Sequence, residues 1–69
     1  MSGFQEMRFW SPTLGCDAAR LSMTDERGSE YFMIVPREAG ARWREKRAEA
    51  VEVIERAIHD GVEPGEVVR

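Results

Sequence analysis

Cys16 and His59 are the side chains best suited to nucleophile or base chemistry, and each is the sole residue of its type in the chain. A histidine works as a general base only within hydrogen-bond reach of the group it deprotonates, and neither Ser nor Cys lies near His59 in sequence. It falls instead in the last turn of an expected helix, where a cation complements the dipole, with Glu55 one turn earlier; it reads as a solvated or capping histidine. Cys16 sits beside Asp17, and an adjacent acid disfavours the thiolate, so the thiol reads as inert. One cysteine and one histidine allow neither an internal disulfide nor a Cys/His zinc site. Gly15, Gly28, Gly40, Gly61 and Gly65 do not have the spacing of a phosphate-binding loop. No catalytic residue, cofactor or metal is expected, and no enzymatic activity.

The remaining candidates are charged. From Arg37 to Arg47 there are five bases (Arg37, Arg42, Arg44, Lys46, Arg47) against two acids (Glu38, Glu45). From Ala48 onward the balance inverts, with Glu49, Glu52, Glu55, Asp60, Glu63 and Glu66 against Arg56 and Arg69. Glu45, Glu49, Glu52 and Glu55 fall on the outer half of one helix. At about 1.5 Å per residue the first three stand roughly 6 and 4.5 Å apart, comparable with phosphates along a nucleic-acid strand. Glu52 and Arg56 are spaced for a favourable i,i+4 pair, while Glu45 and Glu49 repel at that spacing.

These groups need a scaffold. Phe4 to Trp10 alternates with a period of two, setting Met7 and Phe9 opposite Phe4, Glu6, Arg8 and Trp10, which predicts a strand. A turn-rich stretch containing Pro12 and Gly15 follows, then a second strand over about 18–24. Asp25-Glu26-Arg27-Gly28-Ser29 fits a hairpin with a type I turn closed by a left-handed Gly28, and a third strand runs over about 30–35. With Asp25 facing Ser29, Met23 pairs with Tyr31, Leu21 with Met33 and Ala19 with Val35. A helix over about 38–60 is expected, with Pro36 at its opening, Glu38 at its positive end and a stripe of Trp43, Ala50, Val51, Ile54, Ala57 and Ile58. Arg47 falls within the stripe, its stem packed and its head in water. Gly61 ends the helix in a Schellman cap with Val62 folded back on Ala57, and a short tail occupies 62–69.

The fold class is therefore α+β: a three-stranded antiparallel meander followed by one long amphipathic helix laid across one sheet face, β-β-β-α, over the single domain 1–69. One helix covers one face, so the other face is expected to expose Phe4, Trp10, Phe32 and Ile34 around Glu6, Arg8 and Arg20. Such a chain buries only about 60% of the surface its unfolded form exposes, and its core is hydrophobic packing alone.

A net charge of −3 and a pI near 5.1 weigh against whole-molecule attraction to nucleic acid or anionic lipid. No stretch approaches a membrane span or a signal-peptide core, and the expected location is the cytoplasm. The expected function is that of a small acidic protein-binding module that occludes a basic nucleic-acid-binding surface by charge mimicry, of the kind phage-encoded inhibitors such as anti-CRISPR proteins provide. Glu45, Glu49, Glu52, Glu55 and Asp60 would supply the charge, with Trp10 and Phe32 as apolar anchors on the other face. The alternatives are a nucleic-acid-binding or regulatory protein that uses the basic half of the helix, and a structural homodimer closed through the uncovered sheet face.

Overall fold

In the computed structural model, which describes residues 4–38 and 40–68, the chain runs β1 (Phe4–Ser11), β2 (Cys16–Thr24), β3 (Glu30–Pro36), α1 (Ala41–Asp60) and β4 (Gly65–Glu66). Ala39, inside the span expected to be helical, and Arg69, at the end of the expected tail, lie outside the described residues. The antiparallel meander followed by a helix is present, but the sheet has four strands, in the order β1-β2-β3-β4.

Both hairpins are closed by side chains suited to turns. In the first, the Ser11 carbonyl accepts from the Gly15 N–H at 2.7 Å and the Ser11 hydroxyl accepts from the Leu14 N–H at 3.1 Å. In the second, the Asp25 carboxylate accepts from the N–H groups of Arg27 and Ser29, both at 2.9 Å, while Gly28 takes the left-handed conformation at φ 84°. That turn sets the β2–β3 register, Ala19 against Val35, Leu21 against Met33 and Met23 against Tyr31, as the sequence predicts.

The first strand departs from expectation. Its register sets Glu6 against Leu21 and Arg8 against Ala19, so Phe4, Glu6, Arg8 and Trp10 share the helix side of the sheet. Met7 and Phe9 join Phe32 and Ile34 on the uncovered side. The cause is the placement of the helix: α1 packs on β2 and β3, leaving β1 at a half-wet margin that tolerates charge.

The core beneath α1 joins Ala19, Leu21, Tyr31 and Met33 of the sheet to Trp43, Ala50, Ile54 and Ala57 of the helix. Leu21 and Ile54 are wholly buried. Trp43 is a core anchor, as its place on the stripe predicts, whereas Val51 remains half-exposed and Val53 packs at the margin of the core instead.

Each end of the helix has its own reason. Pro36, expected to open α1, is instead the last residue of β3, paired with Ala18, and the helix begins only after Gly40. Glu38 therefore lies ahead of the helix, and the first turn holds no acid. At the other end Gly61 is left-handed, its N–H donating to Ile58 O and that of Val62 to Ala57 O, both at 3.2 Å, as a Schellman cap requires.

The tail then returns to the sheet. Tyr31 Oη donates to the Val62 carbonyl at 3.0 Å and the Val67 N–H donates to the Phe32 carbonyl at 2.8 Å. Gly65 and Glu66 thereby form a two-residue parallel strand beside Tyr31 and Phe32.

Candidate functional site

The outer surface of α1 presents the predicted acidic residues in order. Glu45, Glu49, Glu52, Glu55 and Asp60 are all exposed. Glu52, Glu55 and Asp60 border one shallow depression with Arg56 and His59, and Glu49 and Glu52 border the next with Val53 and Arg56. Glu45 stands at the N-terminal end of the row. The structure thus brings Glu49, Glu52, Glu55 and Asp60 to two neighbouring depressions that share Arg56. Glu52 and Arg56, expected to pair, do not close into an ion pair. His59 is almost fully exposed, with Nδ1 3.3 Å from Asp60 Oδ1.

The cations of the basic half behave differently. Lys46 Nζ lies 2.8 Å from Glu38 Oε1, and Arg47 Nε lies 2.7 Å from Glu6 Oε1 with its guanidinium over the Phe4 ring. Hydrogen bonding to Lys46, reinforced by the charge of that ammonium, holds the Glu38 carboxyl below the ordinary glutamate value. Arg37 sits over Trp43, 5.7 Å from the ring centroid, with its Nε buried and unpartnered. Arg37, Arg42 and Arg44 form no ion pair among the described residues, and of the three Arg42 and Arg44 are the exposed ones.

Trp10 and Phe32 were expected to share the uncovered face, and they do not. Trp10 projects on the helix side at the sheet margin, 62% exposed. Phe32 lies on the uncovered face beneath Arg20, whose guanidinium is 4.3 Å from the ring centroid and 2.6 Å from Glu30 Oε1. That face is completed by Met7, Phe9 and Ile34, the first two of which the sequence reading placed inward. A signal for them exists: counting back from the loop closed by Ser11 and Gly15 sets Arg8 opposite Ala19, and Ala19 belongs to the helix side.

Among the described residues no three of His, Cys, Asp and Glu are grouped to hold a metal ion. Cys16 opens β2 opposite Ser11, half-buried and unbridged, rather than lying in the turn. A notch of about 270 Å³ between β3 and α1 is lined by Met33, Val35, Pro36, Ala50 and Val53, with Lys46 and Glu49 at its rim. No described helix is long and apolar enough to cross a membrane.

Set against protein-family models, curated proteins and solved structures, the chain matches none of them.

Proposed function

We propose that this chain is a non-catalytic binding module that docks the outer face of α1 on a basic surface of a partner protein. Glu45, Glu49, Glu52, Glu55 and Asp60 supply the contact charge. A partner surface that carries nucleic acid is the natural target, because carboxylates rising every turn of a helix match the spacing of phosphates. The module acts by occupying that surface, as a phage-encoded inhibitor of host machinery would.

The observation that carries this reading is the unequal treatment of the two charge types. Lys46 is held by Glu38, Arg47 by Glu6, and Arg37 lies on Trp43. Glu45, Glu52 and Glu55 have no such partner among the described residues and stand in solvent. Charges engaged within a fold offer little to a partner, whereas exposed like charges in a row repel one another until a complementary surface meets them. The same asymmetry weighs against direct nucleic-acid binding through the basic half, where Lys46 and Arg47 are ion-paired and Arg42 and Arg44 are the exposed bases without an ion pair among the described residues.

The test is capture from a lysate with the wild-type chain and with Glu45→Lys, Glu52→Lys and Glu55→Lys combined. The wild-type chain should retain a basic partner that added salt and excess duplex DNA both release, and the charge-reversed chain should not retain it. Equal recovery of the same partner by both chains refutes the acidic-face reading. A gel shift with duplex and single strands at low salt separates the alternative, which requires binding that weakens as salt rises.

A further inference from the structure

We infer that β1 is a self-complementary edge and that two copies of this chain join through it, antiparallel about a two-fold axis at Met7. This surface is separate from the acidic face of α1 and does not depend on it.

β1 is the outermost strand of the sheet, and its register with β2 runs unbroken from Phe4 to Ser11. No bulge turns this edge aside, it contains no proline or lysine, and no described element covers it. Those are among the devices by which a sheet edge is blunted; the charges β1 does carry, Glu6 and Arg8, lie on the helix side, and the N–H and C=O groups of alternate residues along its eight-residue length face outward.

The choice of a second copy as occupant rests on the order of the side chains. Antiparallel pairing centred on Met7 sets Glu6 opposite Arg8 of the copy, and symmetry repeats that pair. It also sets Phe4 opposite Trp10 twice and Met7 against Met7. Directly opposed residues share a face, so the two charge pairs and the two aromatic pairs lie on the helix side, where unlike charges and aromatic pairs stabilise a ladder. Other registers lose this match. Centring on Glu6 or on Arg8 opposes like charges across the axis, and a half-step shift sets charges against Met7 and Phe9 of the uncovered side.

Three of the groups involved are well exposed. Met7 and Trp10 are each 62% exposed, and the Arg8 side chain is 63% exposed. Glu6 is less open, its side chain 18% exposed and already ion-paired with Arg47 at 2.7 Å and with Arg8 of its own chain at 3.6 Å, so Arg8 of the copy adds to a carboxylate that still has unfilled lone pairs.

Sedimentation velocity on the whole chain from micromolar to millimolar concentration tests this, because an edge pairing of this size belongs with weak, concentration-dependent interfaces. The wild-type chain should show a concentration-dependent dimer. Glu6→Arg alone opposes arginines across the axis and Arg8→Glu alone opposes glutamates, and each should weaken dimerisation by about tenfold or more. Mixing these two variants restores both unlike pairs, so the mixture should associate where neither variant does alone. The double variant Glu6→Arg, Arg8→Glu restores the unlike pairs across the axis but gives up the Arg47–Glu6 contact, so it should dimerise more tightly than either single reversal, and circular dichroism melts show that each variant is folded. A chain that stays monomeric throughout overturns the proposal. So does a dimer insensitive to the single reversals, a mixture that fails to associate, or a dimer abolished by Phe32→Glu but kept by the reversals.

Discussion

Arg47 of α1 reaches over the sheet margin to Glu6 of β1, Nε to Oε1 at 2.7 Å. This contact ties the edge strand to the helix, two elements that share no extensive packing. It also accounts for the orientation of β1: a strand whose helix-side residues include Glu6 and Arg8 is tolerable there because the helix brings a cation to meet it and the position stays partly wet.

Arg47→Met keeps the packed stem and removes that cation. Ion pairs with exposed members contribute at most about 1 kcal/mol, so a thermal melt should fall only slightly. Amide exchange in β1 should quicken while that in β2 and β3 holds. Uniform quickening through the sheet would show that the pair supports the whole fold rather than its edge.

Ile54→Ala empties the centre of the core. Ile54 is fully buried between helix and sheet, and a large-to-small change there costs roughly 2–5 kcal/mol, most of what a domain of this size has. Loss of the cooperative transition in a denaturant titration is the expected result; a midpoint equal to wild type would contradict the packing of α1.

Tyr31→Phe removes the hydroxyl that donates to the Val62 carbonyl while keeping the buried ring. The net cost should be about 1 kcal/mol. Its signature is local: exchange of the Val67 amide, which donates to Phe32, should accelerate more than that of any amide within α1. An unchanged tail would mean that backbone pairing alone holds β4.

Glu38 gives a pH prediction. Lys46 lowers its folded-state pKa, so the stabilisation from this pair is complete above the ordinary glutamate value and disappears as pH falls through the lowered one. In a side-chain titration by NMR, Glu38 should inflect below the ordinary glutamate value, and Lys46→Met should return it toward that value. Identical inflections before and after that substitution would show that the ion pair does not persist in solution.

Combined reversal of Glu45, Glu52 and Glu55 tests whether the acidic face is separable from folding. Exposed substitutions rarely shift stability by more than about 0.5 kcal/mol, and relief of repulsion between like charges is exchanged for new repulsion among lysines and Arg56. A melting temperature within a few degrees of wild type is expected. A large drop would mean that these carboxylates serve the fold.

The parts of this molecule that sequence reveals are those set by local chemistry. Asp25 and Gly28 dictate a turn, the turn dictates the β2–β3 register, and Gly61 with Val62 dictates how α1 stops. What escapes is set by distant partners. Nothing near Glu6 in sequence announces that Arg47 will meet it, so the alternation in β1 reads in the wrong sense, with Met7 and Phe9 turned inward. Pro36 is a helix opener and equally a permissible strand end, and only its pairing with Ala18 decides. Gly65 and Glu66 make too short a strand for periodicity to detect, and the bonds that hold the tail there come from Tyr31 and Phe32. The acidic candidates were legible as an exposed row because a regular helix fixes their directions; that Lys46 and Arg47 are neutralised from other elements was not.

Ala18 and Ser22 lie on the side of the sheet that no helix covers, yet Ala18 is wholly inaccessible and Ser22 nearly so. Their cross-strand neighbours are Phe9 and Pro36 for the first and Gln5 and Phe32 for the second, all bulkier than they are. Tall residues on the flanking strands thus lean over short ones in the middle and form a roof out of the sheet itself. At Ala18 and Ser22 the middle strand is shielded on the side that the helix leaves bare, and the rims of the sheet, rather than these central positions, are the places where another molecule finds purchase.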